Sequence, residues 1–181
     1  VHLFDYFTAP GEYEYMLTYR PKLEASGLTV GGGLNQRSNV TNVSVTFTAE
    51  TNIPALIANG TIGQGVSLWK RAVGGGPTDQ IVLSVDRYSW ASLTHRLTID
   101  LTIDGPGPSQ QTMLGDGNYE LQLDGRILGT VAGGCLVDCD GDDDHVCRFG
   151  DMVGDLLFRF AGDANGDRRV DTLDEQIVTN S

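Results

Sequence analysis

Lysine is nearly missing from this chain. Of 181 residues only Lys22 and Lys70 are lysines, and Lys and Arg together number 12 against 24 Asp and Glu. A net charge of −12 argues against nucleic acid or an anionic membrane surface as a partner, because both are bound through a cationic face. Long apolar runs are lacking as well. No segment reaches the roughly 20 apolar residues of a spanning helix, so membrane insertion is not expected. No basic-then-apolar leader opens the chain at Val1, which fits a processed or excised segment. Catalytic wiring is also scarce. There is no Gly-x-Ser-x-Gly and no phosphate-cradling glycine loop, and neither His2 nor His95 has a Ser or Cys nucleophile context. Asp86, Asp100 and Asp104 alternate with apolar residues or occupy turns, which suits a solvated face better than an acid/base pair, so an enzyme is not expected.

What the chain does have is short runs of alternating character. Val43, Val45 and Phe47 alternate with Ser44, Thr46 and Thr48; Leu97, Ile99, Leu101 and Ile103 alternate with Thr98, Asp100 and Thr102. Period-two alternation puts one face in a core and the other in water. The spacing predicts strands over Tyr13 to Tyr19, Val40 to Thr48, Val66 to Arg71, Ile81 to Val85, Arg96 to Ile103, Tyr119 to Leu123 and Leu156 to Phe160, with Pro54 to Ala58 either a strand or a loop. Gly31-Gly-Gly33, Asn59-Gly60, Gly74-Gly-Gly-Pro77, Gly105-Pro-Gly-Pro108, Asp116-Gly117 and Asp124-Gly125 supply turns between them. The fold class expected is all-β, an antiparallel β-sandwich of immunoglobulin-like or jelly-roll-like kind over residues 1–160, with 1–30 the least patterned part. Residues 161–181 form a separate C-terminal loop and short helix.

Acid is concentrated at that end. Eleven of the eighteen aspartates lie between Asp138 and Asp174, among only four arginines. Asp163, Asn165, Asp167, Asp171 and Asp174 fall at positions 1, 3, 5, 9 and 12 of a twelve-residue calcium loop, with the carbonyl of Arg169 at position 7. A hard divalent cation needs six to eight oxygens in a flexible shell, and this alternation supplies them, making Ca2+ the expected ligand. Two positions depart from the common pattern. Arg168 occupies position 6, where a positive φ favours Gly, and Asp174 replaces the longer Glu at position 12. Upstream, Leu156, Phe158 and Phe160 share a face at period two, which reads as a strand instead of an entering helix; downstream, Leu173 to Val178 suits a short helix. With no first helix to swing, the loop is expected to clamp the C-terminus onto the domain and not to act as a sensor. Such loops closed by Asp suit the millimolar calcium found outside cells, so the protein is expected to be extracellular or at a cell surface.

A second ion site is expected nearby. Starting at Asp140, acids recur at relative positions 1, 3, 5 and 12 (Asp140, Asp142, Asp144, Asp151), with Arg148 interrupting position 9. Cys135, Cys139 and Cys147 fall in the same segment. With His145 they invite zinc, but the last two ligands are too close and five aspartates crowd the stretch, so one disulfide and one remaining thiol are expected, with the pairing open.

The C-terminal half carries a resemblance. Gly162-Asp-Ala-Asn-Gly-Asp-Arg-Arg-Val-Asp-Thr-Leu-Asp174 resembles a dockerin type I calcium repeat. Asp116-Gly-Asn-Tyr-Glu-Leu, the Asp-Gly-Asp run at 140–142, Leu157-Phe-Arg-Phe160, and the early segment Gln36-Arg-Ser-Asn-Val-Thr-Asn-Val-Ser-Val-Thr-Phe47 are similar to the C-terminal modules of large exported planctomycete proteins, in which a β-sandwich ends in an acidic excursion, a last strand and one dockerin-like loop. The resemblance covers residues 31–181. It implies an exported module with calcium ligands at Asp163, Asn165, Asp167, Asp171 and Asp174. Dockerins pair two such repeats to bind cohesin, whereas one is present here, and the cysteines of the acidic excursion are foreign to the pattern.

The function expected is a calcium-stabilised structural or adhesive protein, a subunit of a surface fibre, layer or matrix whose partners are copies of itself or other surface proteins. The alternative is a carbohydrate-binding module of an extracellular polysaccharide-degrading system, with a glycan as partner and Trp69, Trp90, Tyr88 and Tyr119 as available aromatics. Within its strand Trp69 reads as a core residue in preference to a ligand contact, while Trp90 in Tyr88-Ser-Trp-Ala is open to exposure. Asn39-Val-Thr41, Asn42-Val-Ser44 and Asn59-Gly-Thr61 match the N-glycosylation pattern, which arises often by chance in a chain this rich in Asn and Thr.

Overall fold

A computed structural model describes residues 22–35, 37–72, 75–103, 111–131, 133–134, 136, 144–150 and 157–179. The expected strand at Tyr13 to Tyr19 lies outside them. Nine strands occur within: β1 Ala25–Val30, β2 Asn42–Phe47, β3 Val66–Arg71, β4 Pro77–Ile81, β5 Tyr88–Ala91, β6 Arg96–Asp100, β7 Gly117–Asp124, β8 Val146–Phe149 and β9 Phe158–Arg159. Two helices join them, α1 Ile53–Ala58 and α2 Thr172–Thr179.

All strand pairs are antiparallel, and they form two sheets. One runs β1-β2-β6-β5; the other runs β4-β3-β7-β8, with β9 also on β7. The fold is therefore the all-β sandwich that the alternation predicts. Val43, Val45 and Phe47 of β2 and Leu97 and Ile99 of β6 face Val66 and Leu68 of β3 and Tyr119, Leu121 and Leu123 of β7 in one buried cluster. Tyr88 on β5 crosses the gap, its hydroxyl donating to the Val66 carbonyl at 3.5 Å. Burial of that phenol pushes its pKa up to about 12.

Several elements differ from expectation. The run at 53–58 is a helix, with Pro54 in its first turn where a missing N–H does no harm. The strand expected at Ile81 to Val85 is displaced toward the N-terminus, because the polar residues Thr78, Asp79 and Gln80 pair along an edge while Val82 is 85% exposed. Pro77 opens that edge strand, the one place where a strand tolerates proline. β1 interrupts its alternation with a bulge between Ser26 and Leu28, where Gly27 has φ +61°. Near the C-terminus, among the described residues, Phe158 and Arg159 alone are in strand, and Leu157 and Phe158 are both buried: Leu157 enters the core, while Phe158 faces the other side of the sheet.

The edge of β7 that seats the C-terminus is shared. β8 pairs with Leu121 to Asp124, and β9 pairs with Gly117 and Asn118 on the same side. Gly150, at the end of β8, has φ +108°, and a Cβ there would lie 2.4 Å from the Tyr119 carbonyl oxygen. Only glycine permits that approach.

Candidate metal centre

The loop from Asp163 to Asp174 begins four residues after β9 ends and runs into α2. Its carboxylates organise the backbone. Asp163, with 0% of its surface exposed, accepts the N–H of Gly166 at 2.6 Å on Oδ1 and that of Arg168 at 3.0 Å on Oδ2. Asp174, 3% exposed, accepts Ala164 N–H at 2.7 Å and Asn165 N–H at 3.2 Å on Oδ1, and Asp171 N–H at 2.9 Å on Oδ2. The donated Asp171 N–H, followed by those of Ala164 and Asn165, holds the Asp174 carboxyl below the usual carboxylate range. Asn165 Oδ1 accepts from Asp167 N–H, Asp167 Oδ1 from Arg169 N–H and Asp171 Oδ1 from Leu173 N–H, at 2.9, 2.8 and 2.9 Å. The six positions expected from spacing thus lie on one tightly wound loop, and the side-chain oxygens of five of them, Asp163, Asn165, Asp167, Asp171 and Asp174, accept its own amides. Among the described residues no three His, Cys, Asp or Glu side chains converge as a ready ligand set.

Position 6 behaves as its place in the loop demands. Arg168 takes φ +69°, a conformation costing a side-chain-bearing residue about 1 kcal/mol. Its guanidinium lies 4.7 Å from the centroid of the Phe158 ring, a cation–π contact that offsets a similar amount. Arg37 lies on the same ring at 5.7 Å. Burial lowers the Arg37 pKa, and the nearby Asp163 charge opposes that shift.

The loop is also seated on a segment more than a hundred residues earlier. Arg37 and Ser38 donate their N–H groups to the Asp163 carbonyl at 2.9 and 3.0 Å, and Phe160 N–H donates to the Arg37 carbonyl at 3.2 Å. Gly166, at φ +81°, lies so close to Asn35 that a Cβ would fall 1.9 Å from its carbonyl oxygen. Asp116 takes Arg159 Nη1 at 2.7 Å and Ala161 N–H at 2.8 Å, pinning the approach to the loop from the β7 side. The seat at Asn35 to Ser38 has no signal in the sequence, since its groups are backbone amides and carbonyls that any residue carries.

The second acidic cluster is not assembled in what is described. Asp140, Asp142 and Asp151 lie outside the described residues. Asp144 caps the start of β8 through Val146 N–H at 2.8 Å and pairs with Arg148. Cys147 is buried on β8 opposite Leu123, while Cys135 and Cys139 lie outside the described residues.

Both tryptophans are half-buried, and it is Trp90, not Trp69, that packs on the core. Trp90 packs against the core, 5.8 Å from the Phe47 ring, with His95 stacked 6.5 Å away and 3.8 Å from Glu50. Trp69 lies half-buried on the outward face of β3 between Gln80 and Glu120, its indole N–H donated to Ser67 at 2.9 Å. Tyr88 and Tyr119 are buried. Glu120 was not expected. It sits on the outward face of β7 yet is 1% exposed, ion-paired with Arg71, with Arg148 at 3.9 Å and Gln122 donating at 2.6 Å. Asp100, set aside in the sequence as an isolated acid, braces a turn by accepting from Thr102 N–H and hydroxyl at 2.9 and 2.7 Å. Of the glycosylation-pattern asparagines, Asn39 accepts Thr112 N–H at 2.8 Å, Asn42 begins β2, and Asn59 stands in an exposed turn.

Among the described residues no helix is long and apolar enough to cross a membrane. No known family matches the chain, and no curated protein does. Among solved structures, the S-layer protein rSbsC(31-844) is similar at 12% identity over 71% of this chain and 13% of that chain, with a TM-score of 0.38. Surface layer protein SbsC, domains 1-6, is similar at 12% identity over the same shares, with a TM-score of 0.37. The chain spans 13% of the length of each.

Proposed function

We propose that this protein is a calcium-stabilised structural or adhesive component of an extracellular or cell-surface assembly, in which the loop from Asp163 to Asp174 closes the C-terminus onto the sandwich. One observation carries the reading. Two carboxylates, Asp163 and Asp174, are buried in a loop whose side-chain acceptors are all oxygen, and among the described residues neither has an ion pair within 4 Å. Backbone N–H dipoles and the more distant Arg37 offset part of that buried charge, and a divalent cation supplies the remainder. Asp163, Asn165, Asp167, Asp171 and Asp174, with the Arg169 carbonyl, would hold it. The bound ion contributes charge neutralisation and stiffness, not chemistry. A bridge from Cys147 to Cys135 or Cys139 would staple the acidic excursion beside it, as suits an oxidising compartment.

Thermal unfolding in calcium and in chelator tests the first half. At a free concentration about a hundredfold above the dissociation constant, binding adds about 2.7 kcal/mol. At about 2 to 4 °C per kcal/mol for a domain this size, that raises the Tm by roughly 5 to 11 °C. An unchanged Tm removes calcium from the proposal. Electron microscopy of concentrated protein in calcium tests the second half, where strictly monomeric particles would count against assembly.

A second reading, binding of a neutral polysaccharide, is favoured by Trp69. Its ring lies on a sheet face where Arg71 and Arg148 are matched by Glu120 and Asp144. Retardation in native gels containing neutral polysaccharides, abolished by Trp69→Ala, would support it. Migration unaffected by every polymer would remove it.

A further inference from the structure

Two Asn-Gly pairs occur in this chain, Asn59-Gly60 and Asn165-Gly166. Such a pair can modify itself, because a glycine amide meets no side-chain obstacle in attacking the preceding carboxamide carbon. The two differ in how their nucleophile and leaving group are held. Asn59 ends α1 in an exposed turn; Gly60 has φ +77°, and nothing lies within 4 Å of where its Cβ would be. Thr61 directs both its N–H, at 3.1 Å, and its hydroxyl at Asn59 Oδ1, although the N–H is shared with the Leu56 carbonyl at 2.9 Å. Donors on Oδ1 polarise the carboxamide carbon and stabilise the negative charge that attack places on that oxygen. Among the described residues the Asn59 Nδ2 group makes no hydrogen bond that would hold it against departure. Gly60 N–H holds one bond, to the Ile57 carbonyl at 3.1 Å.

At the second pair Asn165 Oδ1 also receives a donor from two residues on, Asp167 N–H at 2.9 Å, but the nucleophile and the leaving group are held. Gly166 N–H is bound to the Asp163 carboxylate at 2.6 Å, and the position of its missing Cβ is filled by the Asn35 carbonyl. Asn165 gives Nδ2 to Asp167 at 3.2 Å and its backbone N–H to Asp174 at 3.2 Å. Attack by Gly166 N on Asn165 Cγ would break the seat of the loop.

We propose that Asn59 is a self-modification site, converted through a cyclic imide to aspartate or isoaspartate, and that Asn165 is shielded while its loop is seated. In the first step Gly60 N bonds to Asn59 Cγ and yields its proton to solvent base. The tetrahedral oxygen rests on the Thr61 donors, and the Cγ–Nδ2 bond breaks to release ammonia, which takes its last proton from water. Water then opens the imide at either carbonyl. The net change is one amide and one water to one acid and one ammonia, without oxidant or enzyme, and it adds one negative charge to the −12 of the chain. This goes beyond the calcium reading, since the contrast between the two pairs rests on hydrogen bonds and space alone.

The test is peptide mapping by mass spectrometry of the whole chain held in warm, mildly alkaline buffer, with conversion followed at both positions. Conversion is expected at position 59, and at position 165 at least about tenfold more slowly. Thr61→Val, which keeps the N–H and removes the hydroxyl, should slow position 59 by about fivefold, the effect of one lost exposed hydrogen bond. Gly60→Ala should nearly stop it. Equal rates at 59 and 165 overturn the proposal, as does an unslowed Thr61→Val or an Asn59 no faster than Asn42 before Val43. Circular dichroism of each variant confirms that the turn is compared in a folded protein.

Discussion

Replacing Gly166 with alanine tests the seating of the C-terminal loop most directly. The new Cβ would fall 1.9 Å from the Asn35 carbonyl oxygen, a distance no contact tolerates, and φ +81° is itself unfavourable for alanine by about 1 kcal/mol. Both partners are backbone, so no side-chain rotation relieves the clash. The loop must lift from its seat. Lifting gives up the bonds from Arg37 and Ser38 N–H to the Asp163 carbonyl, about 1 kcal/mol each, and the stacking of Arg168 on Phe158, about 1 kcal/mol more. The expected loss is about 4 kcal/mol, equivalent to a Tm lower by roughly 8 to 16 °C if the loop unfolds with the domain. If it lifts alone, the fall is smaller and shows instead in hydrogen exchange, where the Arg37 and Ser38 amides lose protection. Calorimetry and exchange together separate the two cases. A variant with unchanged Tm and fully protected Arg37 and Ser38 amides would refute the seating.

Further outcomes follow from the same contacts. Arg168→Gly relieves the left-handed backbone but loses the stack on Phe158, so its stability should fall within about 1 kcal/mol of the parent, whereas Arg168→Ala keeps the strain and should lose about 1 kcal/mol by chemical denaturation. Glu120→Gln leaves Arg71 and Arg148 without their shared carboxylate; because both arginines are partly exposed, the loss should be about 2 kcal/mol and should shrink little in high salt. Tyr88, with its pKa raised to about 12 by burial, contributes stability that is complete below the ordinary phenol value near 10 and is lost as pH rises through 12. That loss is about 3 kcal/mol at most, it should be absent in Tyr88→Phe, and absorbance of phenolate against pH will show whether ionisation tracks unfolding.

The parts of the fold that could be read in the sequence are those where burial and alternation agree. β2, β3, β6 and β7 lie inside their sheets with one face on the core, so their apolar residues recur at period two. Edges and irregularities carry no such signal. β4 is polar along most of its length because neither face is buried, and β1 loses its phase at the Gly27 bulge. The helix at Ile53 to Ala58 is a short run too apolar to show a period of either kind. The left-handed turn at Arg168 was legible because the oxygen-bearing side chains around it repeat at fixed intervals. The seat of the loop was not, because Asn35, Arg37 and Ser38 contribute main-chain groups. The place of Trp69 was not legible for a related reason: it alternates with Leu68, but which face of β3 is covered depends on the opposite sheet.

The seat and the loop also differ in the order in which they are made. Asn35 to Ser38 leave the ribosome well over a hundred residues before Asp163 to Asp174, and every contact between them waits for the later segment. The sandwich can pair β2, β3, β6 and β7 while the clamp is still unsynthesised, so the clamp is a late, long-range closure. A chain cut short anywhere before Asp163 would lack the carbonyl to which both the Arg37 and Ser38 amides donate. The contact therefore forms only in chains translated through the loop, and it reports on a seated C-terminal segment instead of on the sandwich alone.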